Sequence, residues 1–182
     1  MHIDLPLAVC NLQRMGLPDA TRSRDWSDTA RTIRAHRPRH VLFLCVANSA
    51  RSQMAEGIAR LLAPEGVRVS SAGSEPSQIH PYAIRSLEEI GIDASGQRSK
   101  GMDEIPGPVD AVITLCAEEV CPAWLGDAVR AHWPLPDPAA VTGSEEQILG
   151  SFRAVRDELR TRLGVLFGSG SRVEPRPGTE DR

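Results

Sequence analysis

Cys45 and Arg51 stand six positions apart in the stretch CVANSARS, where an apolar run ends and a helix-forming segment begins. A loop that leaves a strand and enters a helix can turn several backbone N–H groups inward, and the helix N-terminus adds partial positive charge. Such a nest binds a tetrahedral oxyanion. Arg51 supplies a planar fork matched to two of the anion's oxygens. The same field favours thiolate over thiol, which makes a cysteine at position 45 a nucleophile aimed at the anion's central atom. The predicted oxyanion-binding loop runs through Val46, Ala47, Asn48, Ser49, Ala50, Arg51 and Ser52. Asn48 and Ser49 can hold its shape with internal hydrogen bonds, and Ser52 can donate to the sulfur or cap the helix. Read in isolation, Cys45 could instead be a small buried hydrophobe closing a strand.

Three further residues invite a chemical reading. Cys116 and Cys121 lie in TLCAEEVCPAW, after a second apolar run. They could be inert buried thiols, redox partners, or two ligands of a metal site with His132 as a third; zinc would want four ligands. In a helix, residues 116 and 121 would have Cα atoms roughly 8–9 Å apart, from a rise of ~1.5 Å per residue and ~3.6 residues per turn. A disulfide wants about 4.4–6.8 Å. If the two thiols pair, segment 116–127 must loop or unwind, and Pro122 and Gly126 would loosen it. Asp137 lies in PLPDPAA, where Pro136 and Pro138 stiffen the chain and fix where the carboxyl points; a plain turn aspartate is the alternative. His80 reads as a residue at a helix start, and Trp124 and Trp133 as core or loop anchors.

These residues need elements to position them. HVLFLCV and VDAVITLC are continuous apolar runs with β-branched residues, as strands buried on both faces require. VRVSSAG and AVRAHWPLP read as two more strands, the first alternating and ending at Gly73. SQMAEGIARLLA places Met54, Ile58, Leu61 and Leu62 at helical spacing. HPYAIRSLEEIGI has Pro81 suited to a first helical turn and Gly91 as its stop. In TGSEEQILGSFRAVRDELRTRLGVLF, Ser144 and Gln147 form a capping-box pattern, and Ile148, Phe152, Val155, Leu159, Leu163 and Leu166 keep a 3.6 period. Alternating strands and helices imply a four-stranded parallel sheet in a three-layer α/β sandwich, its helices on both faces. Ligands then bind beyond the carboxyl ends of the strands, where Cys45, Cys116 and Asp137 all fall.

The domain spans 40–167. Residues 1–39 read as a poorly ordered or loosely docked extension in which DWSDTARTI could form a short helix capped by Ser27 or Asp28, and 168–182 as a disordered tail. With 182 residues, 41% of them hydrophobic, 25% charged and a net charge of −3, the chain has a core-forming composition and no overall basic field. That excludes broad electrostatic attraction to nucleic acid or an anionic membrane. No apolar window reaches membrane-span length, and the N-terminus carries no secretory pattern, so a cytoplasmic monomer is expected. Four cysteines are too few for a disulfide scaffold and should be reduced thiols there.

The loop VLFLCVANSARSQMAEG resembles the phosphate-binding loop of the low-molecular-weight protein tyrosine phosphatase superfamily, and the order of elements from 41 to 167 agrees. Within it, NSARSQMAEG, SSAGSEP, VITLCAEEVCP and HWPLPDPA most resemble arsenate reductases that use an internal cysteine relay. The resemblance implies that Cys45 attacks arsenate, Asp137 protonates the departing oxygen, Cys116 attacks the Cys45 sulfur as arsenite leaves, and Cys121 moves the disulfide to Cys116–Cys121. A thioredoxin-type partner would then reduce that pair. The spacing between the last two cysteines is shorter than in the better-known relay enzymes, so glutathione, glutaredoxin or mycothiol could replace Cys121. The resemblance implies no cofactor; Asn48, Glu56 and Ser71 match positions that hold potassium in some relatives. The rival readings are a phosphatase using Cys45, Arg51 and Asp137 alone, and a non-catalytic oxyanion or redox sensor. HWPLPDPA lacks the tyrosines that in such phosphatases often follow the acid, and the chain has a single tyrosine, Tyr82, which favours a small inorganic oxyanion.

Overall fold

The computed structural model describes residues 25–117, 124 and 126–168. In chain order the elements are α1 (Trp26–Ala35), β1 (His40–Cys45), α2 (Arg51–Leu62), β2 (Arg68–Gly73), α3 (Pro81–Glu88), a 3₁₀ turn (Met102–Glu104), β3 (Ala111–Cys116), β4 (Val129–Leu135), a second 3₁₀ turn (Pro138–Ala140) and α4 (Glu145–Phe167). The four strands form one all-parallel sheet in the order β2-β1-β3-β4. β1 and β3 are central, which is why their sequences are apolar except for His40 and Thr114 and buried at nearly every position.

Right-handed crossovers dictate what covers each face. The β1→β2 connection runs one way across the sheet and β2→β3 runs back, so the chain that enters β3 lies on the face opposite α2, although α3, earlier in the same connection, packs beside α2. Met54 and Ile58 of α2 accordingly pack with Phe43, Ile113 and α4 on one face. Ile105 and Val109, from the segment before β3, pack on Leu42, Leu44 and Val112 on the other, joined by Trp124. All four described α-helices contribute to the first cluster; the second face is covered by the 3₁₀ turn and extended chain.

The caps follow the sequence. Ser144 and Gln147 form the reciprocal capping box of α4, Pro81 opens α3 behind His80, and Gly91 takes a left-handed φ of 76° after it. Three expectations need correction. The alternation read in VRVSSAG is absent, because β2 buries Val69 to Gly73 without interruption and its serines serve hydrogen bonds inside. Leu61 is 57% exposed, since α2 is enclosed from Arg51 to Ala59 and its last turn projects past the core. The third concerns residues 1–39. Trp26–Ala35 is a core helix, capped by the Asp25 carboxylate accepting from Ser27 N rather than by Ser27 or Asp28. Ala30 and Ile33 are fully buried. Trp26 meets Trp133 edge-on with centroids 6.5 Å apart, and the Trp133 Nε1–H donates to Thr29 Oγ1 at 2.8 Å. The reason is Trp133 itself: an indole at the sheet margin needs both apolar cover and a partner for its N–H, and α1 supplies the two together. Residues 1–24 and 169–182 lie outside the described residues.

Candidate active site

The carboxyl ends of β1, β3 and β4 bring the predicted residues to one edge. Cys45 ends β1 and Cys116 ends β3, both as buried thiols. Cys116 pairs in register with Leu135 of β4, and two residues later Asp137 caps the 3₁₀ turn, its carboxylate accepting from Ala139 N at 3.3 Å. Arg51 links the strands: it is the first residue of α2, is buried, donates from Nη1 to the Leu135 carbonyl at 3.2 Å, and holds Nη2 3.8 Å from Asp137 Oδ1. The guanidinium thus spans from the loop after Cys45 to the strand beside Cys116 and on to the acid. Cys121, and with it the predicted rearrangement of its segment, lies outside the described residues.

The loop between Cys45 and α2 is held from outside. Val46 O accepts from Glu75 N, Ala47 O from Ser77 N and Ser99 Oγ, Asn48 O from Gln53 Nε2, and Ser49 O from His80 N. In a planar trans peptide the N–H points opposite to the C=O. Four outward carbonyls therefore turn the N–H groups of Ala47, Asn48, Ser49 and Ala50 to the inner side. Inward N–H groups are what an anion nest requires, and the loop is held in this shape by segments 75–80 and 97–100 clasping it. Asn48 sits at φ 45°, in the left-handed region that asparagine tolerates better than most residues.

Beneath the loop lies a directional network. Asn48 Oδ1 accepts from Gln53 Nε2 at 2.9 Å and from the Lys100 backbone N–H at 2.8 Å. A backbone donor cannot be reversed, so the Asn48 amide must present Nδ2 to its other neighbours, and it donates at 2.8 Å to both Ser52 Oγ and Ser71 Oγ. Receiving that hydrogen leaves Ser52 its own to give, and its hydroxyl lies 2.9 Å from Cys45 Sγ. Ser71 likewise donates onward to the Glu56 carboxylate. Asn48, Glu56 and Ser71 are thus brought together, and the cations against Glu56 are Lys100 Nζ at 3.1 Å and the Arg60 guanidinium.

His80 is the N-cap of α3, with Nδ1 accepting from Tyr82 N at 3.2 Å and its ring stacked on Phe152 at 4.6 Å. Burial lowers its pKa, and the nearby Asp137 carboxylate only partly opposes this; an unprotonated Nδ1 is what the cap requires. His132 is exposed on β4, where its Nδ1 meets Thr114 Oγ1 at 2.9 Å. No cluster of three metal-ligating side chains occurs among the described residues.

Sequence reasoning missed the clasp. A Cβ on Gly73 would come within 2.3 Å of Val46 O and 2.8 Å of Asn48 N, so glycine there lets the loop lie against the end of β2. A glycine ending a strand beside a predicted loop was the available signal. Gln53, Ser77, Ser99 and Lys100 carried none, because their spacing from Cys45 follows no local period.

Known proteins resemble the chain over this region. The family described as low molecular weight phosphotyrosine protein phosphatase matches residues 40–174. The arsenate reductase of Halalkalibacterium halodurans is 41% identical over 133 residues, spanning 71% of this chain and 96% of that protein. The glutaredoxin arsenate reductase of Synechocystis is 39% identical over 130 residues, 70% of this chain and 95% of that one. A solved arsenate reductase in the phosphate-binding state superposes with a TM-score of 0.60 at 38% identity, over 72% of this chain and 98% of its own. The chain therefore belongs to the low molecular weight phosphotyrosine protein phosphatase family, in the company of that family's arsenate reductases.

Proposed function

We propose that this protein reduces arsenate to arsenite through a covalent cysteine intermediate and an intramolecular disulfide. Arsenate sits in the loop against the inward N–H groups and Arg51. The Cys45 thiolate attacks arsenic(V), and an oxygen leaves as water with a proton from Asp137, because hydroxide is a poor leaving group. The Cys116 thiolate then attacks the Cys45 sulfur. The S–As bond breaks with its electron pair passing to arsenic, so arsenite departs as arsenic(III) and Cys45–Cys116 is left as a disulfide. Cys121 attacks Cys116, frees Cys45 and completes a Cys116–Cys121 disulfide. An external dithiol of the thioredoxin type returns the two electrons by exchange. A cycle that depends on such a donor suits a reducing cytoplasm.

The observation that carries this reading is the second buried thiol at the same edge, at the end of β3 and opposite Leu135, whose carbonyl Arg51 holds. A phosphatase needs Cys45, Arg51 and Asp137, but water resolves its intermediate and no second thiol is required. The decisive experiment follows NADPH oxidation with arsenate, thioredoxin and thioredoxin reductase, and compares Cys116→Ser. Turnover in the wild type with loss of arsenite release in the variant supports the relay. Hydrolysis of p-nitrophenyl phosphate that outpaces arsenate reduction and survives Cys116→Ser would favour the phosphatase. Cys121→Ser should stop after about one turnover with thioredoxin; sustained turnover with glutaredoxin would move the donor to that class.

A further inference from the structure

We propose that the Lys100 ammonium is a built-in cation which holds the catalytic loop in register and makes the site independent of free monovalent cations. The proposal rests on the reading of Cys45 as the reacting thiol. Its starting point is Glu56, whose side chain is 1% exposed. A buried carboxylate needs a compensating charge. Two cations face it from the elements around it, Arg60 one turn further along α2 and Lys100 from the segment before the 3₁₀ turn. Their exposure separates them: Arg60 is 53% exposed and screened by water, whereas the Lys100 side chain is 13% exposed. The remaining cation nearby, Arg98, is turned to Glu104 at 2.6 Å, while its carbonyl takes a second contact from Lys100 Nζ at 3.3 Å.

The donor set does not suit potassium. A monovalent cation wants several oxygens facing one point, but the Glu56 oxygens are committed to Arg60, Ser71 and Lys100. Asn48 turns its Nδ2 hydrogens, not Oδ1, towards Ser71. An ammonium fits where an ion would not, because it is already tethered and its backbone does a second job. The Lys100 N–H fixes the Asn48 amide at 2.8 Å, and the Lys100 carbonyl accepts from Gly73 N at 3.0 Å, beside the glycine against which the loop lies.

The consequence is a polarised chain from Lys100 to the sulfur. The Lys100 ammonium and the Ser71 hydroxyl both donate to the Glu56 carboxylate. Ser71 then accepts from Asn48, whose other Nδ2 hydrogen reaches Ser52 and leaves the Ser52 hydroxyl free to donate to Cys45. Lys100 acts through these groups and touches no substrate; it is a positioning residue.

The test compares wild type and Lys100→Ala in choline, sodium, potassium and ammonium chloride at equal ionic strength. The readouts are the iodoacetamide alkylation rate at Cys45, resolved by peptide mass spectrometry, and the protection that phosphate gives against it. Neither depends on arsenate reduction, so a failure of the proposed function stays distinguishable. The wild type should be indifferent to the cation. Lys100→Ala should lose about tenfold in phosphate protection in choline, as expected for breaking a charge-assisted contact, and regain most of it in ammonium, which supplies both the charge and the donor hydrogens, but not in potassium. The proposal is overturned by a wild type that needs potassium, by a variant unimpaired in choline, or by a loss that ammonium does not repair in a variant whose circular dichroism matches the wild type.

Discussion

The two sides of the site are built differently. On the Cys45 side, every loop carbonyl from Val46 to Ser49 is tied to a neighbouring segment, and Asn48 and Ser52 are fully buried. On the Asp137 side, the backbone is anchored to α4 by Ser151 donating to the Pro138 carbonyl at 3.0 Å, but the carboxylate is 37% exposed, with Ala139 N at 3.3 Å and Arg51 at 3.8 Å. An anion cradle must be rigid before its ligand arrives, since preorganised N–H groups lose nothing by reorienting. On the proposed reading Asp137 gives a proton to whichever oxygen leaves, and a partly exposed carboxyl between two prolines keeps a fixed direction while staying in exchange with water.

That contrast can be broken from either side. Arg51→Ala removes the one side chain common to both halves and should cost the most, at least about 10³-fold in kcat/KM for arsenate, measured by coupled NADPH oxidation. Asp137→Ala should lower kcat by about 10²-fold while phosphate still protects Cys45 from alkylation, because the cradle is intact; a parallel loss of protection would show that the acid side also shapes the nest. Gly73→Ala attacks the rigid side alone. With a methyl driven into Val46 O, the loop has to shift, so phosphate protection should fall by roughly tenfold and the thermal midpoint by several degrees, about 1–3 kcal/mol of overpacking strain. The smallest effect is a pH slope. Burial lowers the His80 and His40 pKa values, so folding favours both neutral rings. Their contribution is complete above the unfolded value of about 6.5 and is lost as pH falls through the lower folded values. The thermal midpoint should drop between about pH 7 and 5, and His80→Asn, which can still cap α3, should flatten part of that drop, while losing the ring's stack on Phe152 lowers the midpoint at every pH.

What was readable in the residues divides along the same line. The strand–loop–helix unit around Cys45 is local, and its periodicity, small polar loop and arginine announced it. Asp137 was legible because its flanking prolines and the ends of parallel strands restrict where it can go. The clasp was not legible, since Glu75, Ser77, His80 and Ser99 meet the loop only through tertiary folding. Lys100 is the sharpest case: lysine in a short polar segment looks like any solvated surface residue until Glu56 is seen to be buried beneath it. The core role of α1 was hidden for a related reason, since a helix laid against α4 and one indole of β4 buries only Ala30 and Ile33 fully, too few to raise a clear period among Arg, Asp and Thr.

That helix carries a practical consequence. The region shared with the family starts at residue 40, whereas α1 occupies 26–35 and roofs Trp133. A recombinant fragment trimmed to the shared boundary would strip this roof, leave an indole N–H without its acceptor and uncover a greasy flank along β4. Such a fragment would be expected to clump on expression, and its failure would say nothing about the chemistry at the opposite end of the strands.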